Sequence, residues 1–449
     1  MSAKNAPLYS EIAIAEDVAR KHATTWRFCE NGPGWLCWDG VRWVGDQSAV
    51  QVHDAVREAV KRAAAALKDD DAADSNPESR TRQARRLAAS PTVQGVQRML
   101  RGMSALSITV DALDADPLKL NTPAGIVDLM SGKMLPHAPA ALQTKLTSYS
   151  PEGAAPRWSR FLVETFGEDP ALLAYVQRMA GYFLTGETRE QTFWFALGGG
   201  GNGKSVFFDT LRAVMGSYAR VAPAETFMAT TSAQHPADVA ALVGARLVLA
   251  NETEDGARLA ESRIKQLTGG DRVTARLMRQ NFFEFTPQFK LVIIGNHLPA
   301  LRNVDDAMRR RLHVLPFTRK PAVPDRNLPQ ALASEGNGIL KWAVDGLVAY
   351  RRDGLAPPPV VLAATDMYFE DEDVVSQWLK EHYERAAGFT ETIGTSELHL
   401  CWRNWCEQNG ASPGTIKWLS SALIARGFIK SQHPRNRRWG FSGLFRRNG

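Results

Sequence analysis

The chain has 449 residues, 44% of them hydrophobic and 23% charged, which is the composition of an ordinary globular protein with room for about two to four domains. No apolar run approaches the ~20 residues that cross a bilayer, and the N-terminus lacks the apolar core of a signal peptide, so we expect neither a membrane span nor secretion. The net charge is +6, and the segment from Asn409 to the end holds eight basic residues and no acidic ones. That local charge points to a nucleic-acid contact, with a merely solvated tail as the alternative.

Residues 1–150 carry the mixed pattern of an α+β domain. The segment GWLCWDGVRW alternates around Asp39-Gly40 and predicts a β-hairpin. Apolar periodicity predicts helices over Val52–Leu67 and Thr92–Met103, whereas the polar stretch Lys68–Arg82 predicts a loop. Short strands with turns follow the second helix, so a small sheet is expected at the end of this domain.

The rest of the chain divides into four segments that differ in their residue patterns. Residues 151–185 have a helical pattern, and residues 186–355 alternate strands with helices, which is typical of an α/β domain with a parallel sheet. The proline run within residues 356–371 predicts a stiff linker. Residues 372–449 predict a small separate domain of helices that ends in a hairpin.

The strongest motif lies in the α/β segment, where a short apolar strand leads into a glycine-rich loop and then an amphipathic helix. Gly198–Ser205 fits G-x-x-x-x-G-K-[ST] at every fixed position, the sequence of a phosphate-binding loop. Glycines let the backbone N–H groups point at phosphates, and the helix N-terminus adds partial positive charge. Lys204 would reach the β- and γ-phosphates of ATP, and Ser205 would ligate Mg²⁺. The residues expected to bind the nucleotide are Gly198, Gly201, Asn202, Gly203, Lys204 and Ser205.

Polar residues follow two later apolar strands. Glu252 and Glu254 come directly after one strand, where a carboxylate would hold the Mg²⁺ shell and orient the attacking water. A solvated acidic turn is the alternative for both. Asn296 ends the next buried strand and would sense the γ-phosphate, unless it merely caps the turn that follows.

An arginine-rich motif precedes the last strand of this segment. Three adjacent arginines cannot all face one partner, and one of them would reach the γ-phosphate on a neighbouring subunit. Arg310 is the first choice for this role and Arg311 the second. An ion pair with a nearby aspartate is the structural alternative for either.

The order of these motifs resembles that of the superfamily 3 helicases. GGGGNGKS is followed by ARLVLANETEDG, FKLVIIGNHLP and DDAMRRRLHVLPF. More narrowly, the chain resembles the poxvirus-type primase-helicase family of phages and plasmids, most strongly over roughly residues 120–320. The resemblance implies an α/β fold with an AAA+-like P-loop ATPase core, an N-terminal α+β helicase-associated domain and a C-terminal winged-helix domain. It also implies a hexameric ring that moves 3′ to 5′ on single-stranded DNA.

The resemblance carries over to individual positions. The Walker A, Walker B, sensor and arginine-finger roles fall on Lys204 with Ser205, Glu252, Asn296 and Arg310. A hairpin that reaches into the pore is expected near residues 274–280, so Arg276 and Arg279, with Lys265 nearby, would grip the DNA backbone; surface solubility is the alternative. Many relatives carry an N-terminal primase domain, but residues 1–150 lack a paired-carboxylate primase signature. Priming is therefore expected to be absent or to reside on another chain.

The C-terminal segment predicts three helices and a wing, which is the layout of a winged helix. The third helix, over Ser412–Gly427, would lie on duplex DNA, and Arg435, Arg437 and Arg438 would contact phosphates. A contact with a partner replication protein is the competing interpretation.

These features together predict an ATP-dependent replicative DNA helicase of a phage or mobile element, acting in the bacterial cytoplasm. Its expected partners are single-stranded and forked DNA, further copies of itself in a ring, and a primase or other replication proteins. An ATPase that melts an origin or acts as a loader without processive unwinding is one alternative. A small-molecule P-loop kinase is another, and the basic tail and the arginine-rich motif argue against it.

Overall fold

The structure is a computed structural model that describes residues 9–230, 236–251, 257–276, 282–301, 305–321, 323–385, 392–432 and 437–447. Its contacts divide the chain into two compact units. The first unit combines the chain up to Pro299 with Arg311–Val361, and the second combines Ala300–Arg310 with the chain from Leu362 onward. Each unit has a hydrophobic core of its own.

The N-terminal part of the first unit combines helices with two small antiparallel sheets. The helices bury their apolar faces against the aromatic residues of the first sheet. The predicted hairpin is confirmed, since Trp38 pairs with Trp43 and the Asp39 carboxylate accepts hydrogen bonds from the N–H groups of Val41 and Arg42. The elements are α1 (Glu11–His22), β1 (Trp26–Cys29), β2 (Gly34–Trp38), β3 (Trp43–Gly45), α2 (Val50–Asp69), α3 (Pro77–Leu87), α4 (Ser90–Arg101), β4 (Lys119–Thr122), β5 (Gly125–Asp128) and β6 (Met134–Leu135).

Part of the stretch expected to be a loop is helical. Asn76 caps α3 by accepting hydrogen bonds from the N–H groups of Glu78 and Ser79, and Pro77 occupies the first turn, where its missing N–H costs nothing. The prediction of a loop over Lys68–Arg82 was therefore wrong at Lys68 and Asp69, which end α2, and again from Pro77 onward. Capping and the fixed φ of proline outweigh the polar composition there.

The second part of the first unit is an α/β core, as predicted. Within the described residues, its main sheet has the strand order β13–β7–β12–β9–β8, and every neighbouring pair is parallel. The central strands are apolar on both faces, as expected for a sheet covered by helices. The elements are α5 (Pro156–Phe166), α6 (Pro170–Phe183), β7 (Phe193–Leu197), α7 (Lys204–Met215), β8 (Ala219–Pro223), α8 (Pro236–Ala240), β9 (Leu247–Asn251), α9 (Glu261–Thr268), β10 (Val273–Arg276), β11 (Phe282–Phe285), β12 (Lys290–Gly295), then α10 (Asp306–Arg309) of the second unit, β13 (Leu312–Pro316), α11 (Leu328–Ser334) and α12 (Gly336–Asp353).

The helical segment predicted over residues 151–185 consists of α5 and α6. Gly167, with φ of +87°, ends the first helix, and the Asp169 carboxylate caps the second. Helix α6 then packs closely on α12 through glycines. A Cβ on Gly181 would collide with the backbone of Leu347, and a Cβ on Gly346 with the backbone of α6.

The second unit is built around clustered tryptophans, in which Trp402 stacks on Trp405 and meets Trp378 edge to face. The stiff linker expected over residues 356–371 is instead helical from Pro359, because the last proline of the run starts α13 in the position where helices accept it. The remaining elements are α13 (Pro359–Glu372), α14 (Val374–His382), β14 (Tyr383–Arg385), β15 (Thr392–Gly394), α15 (Thr395–Asn409), α16 (Ile416–Ala425), β16 (Ile429–Gln432), β17 (Trp439–Ser442) and β18 (Leu444–Arg446). Among the described residues, no helix combines the length and apolar character that a membrane span requires.

Candidate functional site

The glycine-rich loop joins β7 to α7 in a conformation that suits glycine. Gly200, Gly201 and Gly203 have φ of +84°, +65° and +84°, where an L side chain would be strained. A Cβ on Gly198 would collide with the Asn202 side chain. The loop therefore depends on glycine both for its turns and for its packing.

Asn202 fixes this loop to the edge of the sheet. The residue is only 3% exposed, and its Nδ2 donates a hydrogen bond of 2.8 Å to the carbonyl oxygen of Phe317, which directly follows β13. A buried amide must find such a partner, so the loop is held in place by the same interaction that satisfies the side chain. Asn202, which the sequence predicts to bind the nucleotide, thus also holds the glycine-rich loop in position through its hydrogen bond to Phe317.

Lys204 begins α7, and the residue is only 5% exposed. Its Nζ donates hydrogen bonds to the carbonyl oxygen of Gly198 and, at 3.0 Å, to Oδ1 of Asn296. Both partners are neutral oxygens, and burial lowers the pKa of the ammonium group. A cation held in this way gains a charge-assisted interaction when a phosphate takes the place of the neutral oxygens.

The strand order brings Asn296 to the same edge of the sheet as the loop. Strand β12 lies between β7 and β9, with Gly295 level with Leu197 and Ile294 level with Asn251. Because the strands are parallel, their carboxyl ends meet at one edge, which is where α/β sheets bind ligands. A cavity of about 490 Å³ opens there, lined by Gly200–Val206, Asn251 and Ile294–Asn296.

This cavity gathers most of the residues predicted to bind the nucleotide, together with the predicted sensor Asn296. They are Gly201, Asn202, Gly203, Lys204, Ser205 and Asn296. Gly198 contributes its carbonyl to Lys204 instead. Glu252 and Glu254 lie outside the described residues. Asn251 was missed by the sequence analysis, although its place at the end of an apolar strand is the signal that led to Asn296.

The three adjacent arginines have different environments. In the second unit, Arg309 pairs with Asp366 at 3.1 Å, whereas Arg310 is exposed. In the first unit, Nη2 of Arg311 donates a hydrogen bond of 2.9 Å to Oε1 of Gln191. Of the two arginines considered for the finger, Arg310 is the one that faces solvent, and Arg311 has a local structural partner.

Strands β10 and β11 pair antiparallel where the family resemblance predicts a hairpin. Arg276 pairs with Phe282 across the hairpin, and its guanidinium lies 4.8 Å from the centre of that ring, which belongs to a residue 58% exposed. Lys265 is half-buried on α9, and Arg279 lies outside the described residues. An exposed ring beside a guanidinium is a surface on which a nucleic-acid base can stack.

The second unit carries a hairpin at its basic end. The predicted helices and strand pair of this region are confirmed as α14, α15, α16 and the pairing of β16 with β17. Arg437 and Arg438 are exposed beside β17, while Arg435 lies outside the described residues. Trp439 is 56% exposed, and Nζ of Lys430 lies 5.7 Å from its ring.

Two stretches of the chain match models of known protein families. Residues 15–167 match a family described as D5 N terminal like, and residues 196–311 match a family of unknown function, DUF5906. The chain is 25% identical over 264 residues to the putative helicase L207/L206 of Acanthamoeba polyphaga mimivirus, covering 54% of this chain and 27% of that protein. It is 23% identical over 288 residues to the putative helicase 022R of frog virus 3, covering 59% of this chain and 29% of that protein. The chain thus spans little more than a quarter of the length of these relatives.

The fold is shared with a solved structure over nearly the whole chain. The A-form apo structure of the NrS-1 C-terminal region aligns with 96% of this chain and 98% of its own, with a TM-score of 0.51 and 12% sequence identity. At this identity the likeness concerns the fold alone.

Proposed function

Because the chain belongs to the D5-like primase-helicase family of phages and viruses, we propose that it is an ATP-dependent DNA helicase for the replication of a phage or mobile element. The observation that carries the proposal is the 3.0 Å contact between Lys204 and Asn296 inside the cavity at the carboxyl edge of the parallel sheet. In this proposal residues 186–355 form an AAA+-like ATPase core, residues 1–150 a helicase-associated domain and residues 372–449 a winged-helix domain.

The contact links two functions of an ATPase site. The β- and γ-phosphates of ATP would attract the buried Lys204 ammonium away from its neutral partners. That exchange would free the Asn296 side-chain amide to hold the γ-phosphate or the attacking water. Consecutive backbone N–H groups of the glycine-rich loop, together with the N-terminus of α7, would hold the remaining phosphate charge.

Mg²⁺ would be held largely by the nucleotide itself. Within the described residues, no group of three or more His, Cys, Asp or Glu side chains is arranged to hold a metal ion. Mg²⁺ often relies on substrate phosphates, waters and one or two protein ligands. Ser205 lines the cavity, and its hydroxyl would supply one ligand. Glu252 would complete the metal shell and polarise the attacking water, with Glu254 as its helper.

Hydrolysis would depend on a ring of identical subunits. Arg310 is exposed, and within the part of the chain that the structure describes its side chain has no ion pair, whereas Arg309 and Arg311 are engaged by Asp366 and Gln191. A positive charge supplied by a neighbouring subunit stabilises the transition state and couples hydrolysis to assembly. We propose a hexamer in which Arg310 takes this role.

Two hairpins would contact DNA. Arg276 and Arg279, with Lys265 nearby, would hold the backbone of a single strand during 3′-to-5′ movement, and Phe282 would stack on a base. Arg435, Arg437 and Arg438 would contact duplex phosphates from the wing. The wing carries more of this contact than α16, because the exposed face of α16 presents Ile416 and Ile424 beside Lys417.

The test is ATP-dependent unwinding of a fork with a 3′ tail. The wild-type chain is expected to displace the strand, and Lys204→Ala and Glu252→Gln are expected to abolish displacement. Lys341→Ala serves as the matched control, because Lys341 is an exposed lysine paired with Asp345 on α12.

Two further outcomes separate the alternatives. DNA-stimulated ATP hydrolysis without strand displacement on either tail polarity would replace the helicase proposal with an initiator or loader. Mixed rings of Arg310→Ala and Lys204→Ala, each inactive alone, are expected to recover part of the hydrolysis, because a subunit with an intact Lys204 then receives Arg310 from its neighbour. No recovery in such mixtures would argue against a finger supplied in trans.

A further inference from the structure

A second basic surface lies on the N-terminal helices, far in sequence from the basic tail. Residues 79–110 contain six arginines and neither a lysine nor an acidic residue. Arg80 is buried, and its guanidinium donates hydrogen bonds to the carbonyl oxygens of Lys68 and Asp74, so its role is structural. The other arginines are exposed on α3 and α4: Arg82, Arg85, Arg86, Arg98 and Arg101.

The spacing of these arginines concentrates their charge. Arg82, Arg85 and Arg86 are separated by three and four positions and therefore share one face of α3. Arg98 and Arg101 share a face of α4 in the same way. Both helices pack against α2 and are joined by a two-residue link, Ala88 and Ala89. The helices therefore hold the guanidinium groups on a rigid support.

These arginines differ from other exposed arginines nearby. Arg20 and Arg57 each form an ion pair with an aspartate three residues earlier in the same helix. Among the described residues, no carboxylate lies within ion-pair distance of any of the exposed arginines on α3 and α4, including Glu78 one turn before Arg82. Like charges on one helix face destabilise the helix slightly, so an anionic ligand is the partner that would offset this cost.

The side chains on α3 and α4 indicate which class of ligand this surface would bind. Residues 77–101 contain no aromatic side chain, and the Phe28 ring, 5.5 Å from the Arg101 guanidinium, is half-buried, in contrast to the exposed Phe282 on the β10–β11 hairpin. Arginine forks bind phosphates in bidentate fashion without reading sequence. Duplex DNA offers about twice the phosphate density of a single strand along its axis. We propose that α3 and α4 form a binding surface for the phosphate backbone of duplex DNA, separate from the hairpins proposed above.

The test is binding of the full chain to a fluorescent, blunt-ended duplex, measured by anisotropy across about 50 to 200 mM salt. The variant combines Arg82→Gln, Arg85→Gln and Arg86→Gln. Loss of these phosphate contacts is expected to weaken duplex binding roughly 10- to 100-fold and to reduce the slope of log affinity against log salt by about 2 to 3. The control combines Arg20→Gln, Arg212→Gln and Arg352→Gln, which removes equal charge from exposed arginines that have carboxylate partners.

The readouts keep this proposal separate from the helicase proposal. Lys204→Ala is expected to bind the blunt duplex like the wild type, because the α3–α4 surface needs no hydrolysis. ATP hydrolysis without DNA is expected to be unchanged in the triple α3 variant, which also verifies its folding. Unchanged duplex affinity and salt slope in that variant would overturn the proposal. An equal loss of affinity for single strands and for the duplex would overturn the preference for a duplex.

Discussion

The contact between Lys204 and Asn296 can be probed with two substitutions that differ by one charge. Asn296→Ala removes the amide and leaves Lys204 available to phosphate, so nucleotide binding is expected to change by less than about threefold. Its turnover is expected to decrease roughly 100-fold, as for the loss of one preorganised transition-state donor. Asn296→Asp instead puts a carboxylate where a neutral oxygen lies 3.0 Å from Nζ.

The size of the second effect follows from that distance. A unit charge pair about 3–4 Å apart interacts by roughly 4–5.5 kcal/mol at an effective dielectric constant near 20. Desolvation of the new carboxylate would offset part of this energy. The carboxylate would then compete with the nucleotide phosphates for the Lys204 ammonium group by a net of about 2–3 kcal/mol. This energy corresponds to nucleotide binding that is roughly 30- to 150-fold weaker.

The assay measures the affinity for a fluorescent ATP analogue and, separately, kcat with ATP. Asn296→Asp is expected to lose affinity, whereas Asn296→Ala is expected to lose turnover while keeping affinity. Thermal unfolding of both variants serves as the folding control. If both variants bind the analogue as tightly as the wild type does, Lys204 does not hold the phosphates in the way argued here.

Three further predictions concern packing, pH and stacking. Gly346→Ala is expected to destabilise the protein by at least about 2–3 kcal/mol in denaturant unfolding, because the new Cβ would collide with the backbone of α6. Gly45→Ala is the control: a Cβ there meets open space, so its stability is expected to change by less than about 1 kcal/mol. Burial lowers the pKa of His313 to about 4, below its unfolded value of ~6.5, so the unfolded state binds the extra proton and stability is lost as the pH falls from ~6.5 towards ~4. His313→Gln is expected to remove up to about 3 kcal/mol of the acid-induced decrease in the free energy of unfolding. If the free energy of unfolding of this variant depends on pH as steeply as that of the wild type, His313 is not the group responsible. Phe282→Ala is expected to weaken binding of single-stranded DNA by about tenfold in anisotropy and to leave ATP hydrolysis without DNA unchanged.

The pH prediction depends on a buried hydrogen-bond chain. Nε1 of Trp194 donates to the Tyr175 hydroxyl at 2.8 Å, and that hydroxyl lies 2.7 Å from Nδ1 of His313. The chain is satisfied when the hydroxyl donates to an unprotonated Nδ1. Protonation of His313 would remove this acceptor, so the neutral ring is the form that the fold stabilises.

Local patterns in the sequence determined the phosphate loop, the parallel sheet, the β2–β3 hairpin and the pairing of β16 with β17. The loop needs glycine at left-handed positions and a lysine at the start of a helix, and both requirements are visible within Gly198–Ser205. Apolar runs of strand length that alternate with helices likewise predict a parallel sheet without reference to distant contacts. Polar composition was a weaker guide, because one asparagine cap and one proline were enough to start α3 inside a stretch predicted to be a loop.

Only the tertiary structure decided which strand ends meet and which charged side chains are engaged. Asn251 and Asn296 are far apart in the sequence, and they line one cavity because β12 lies between β7 and β9. The three adjacent arginines are alike in the sequence, yet Arg310 is exposed while its neighbours bond to residues that are distant along the chain. Such assignments depend on long-range contacts, which a local pattern of residues does not encode.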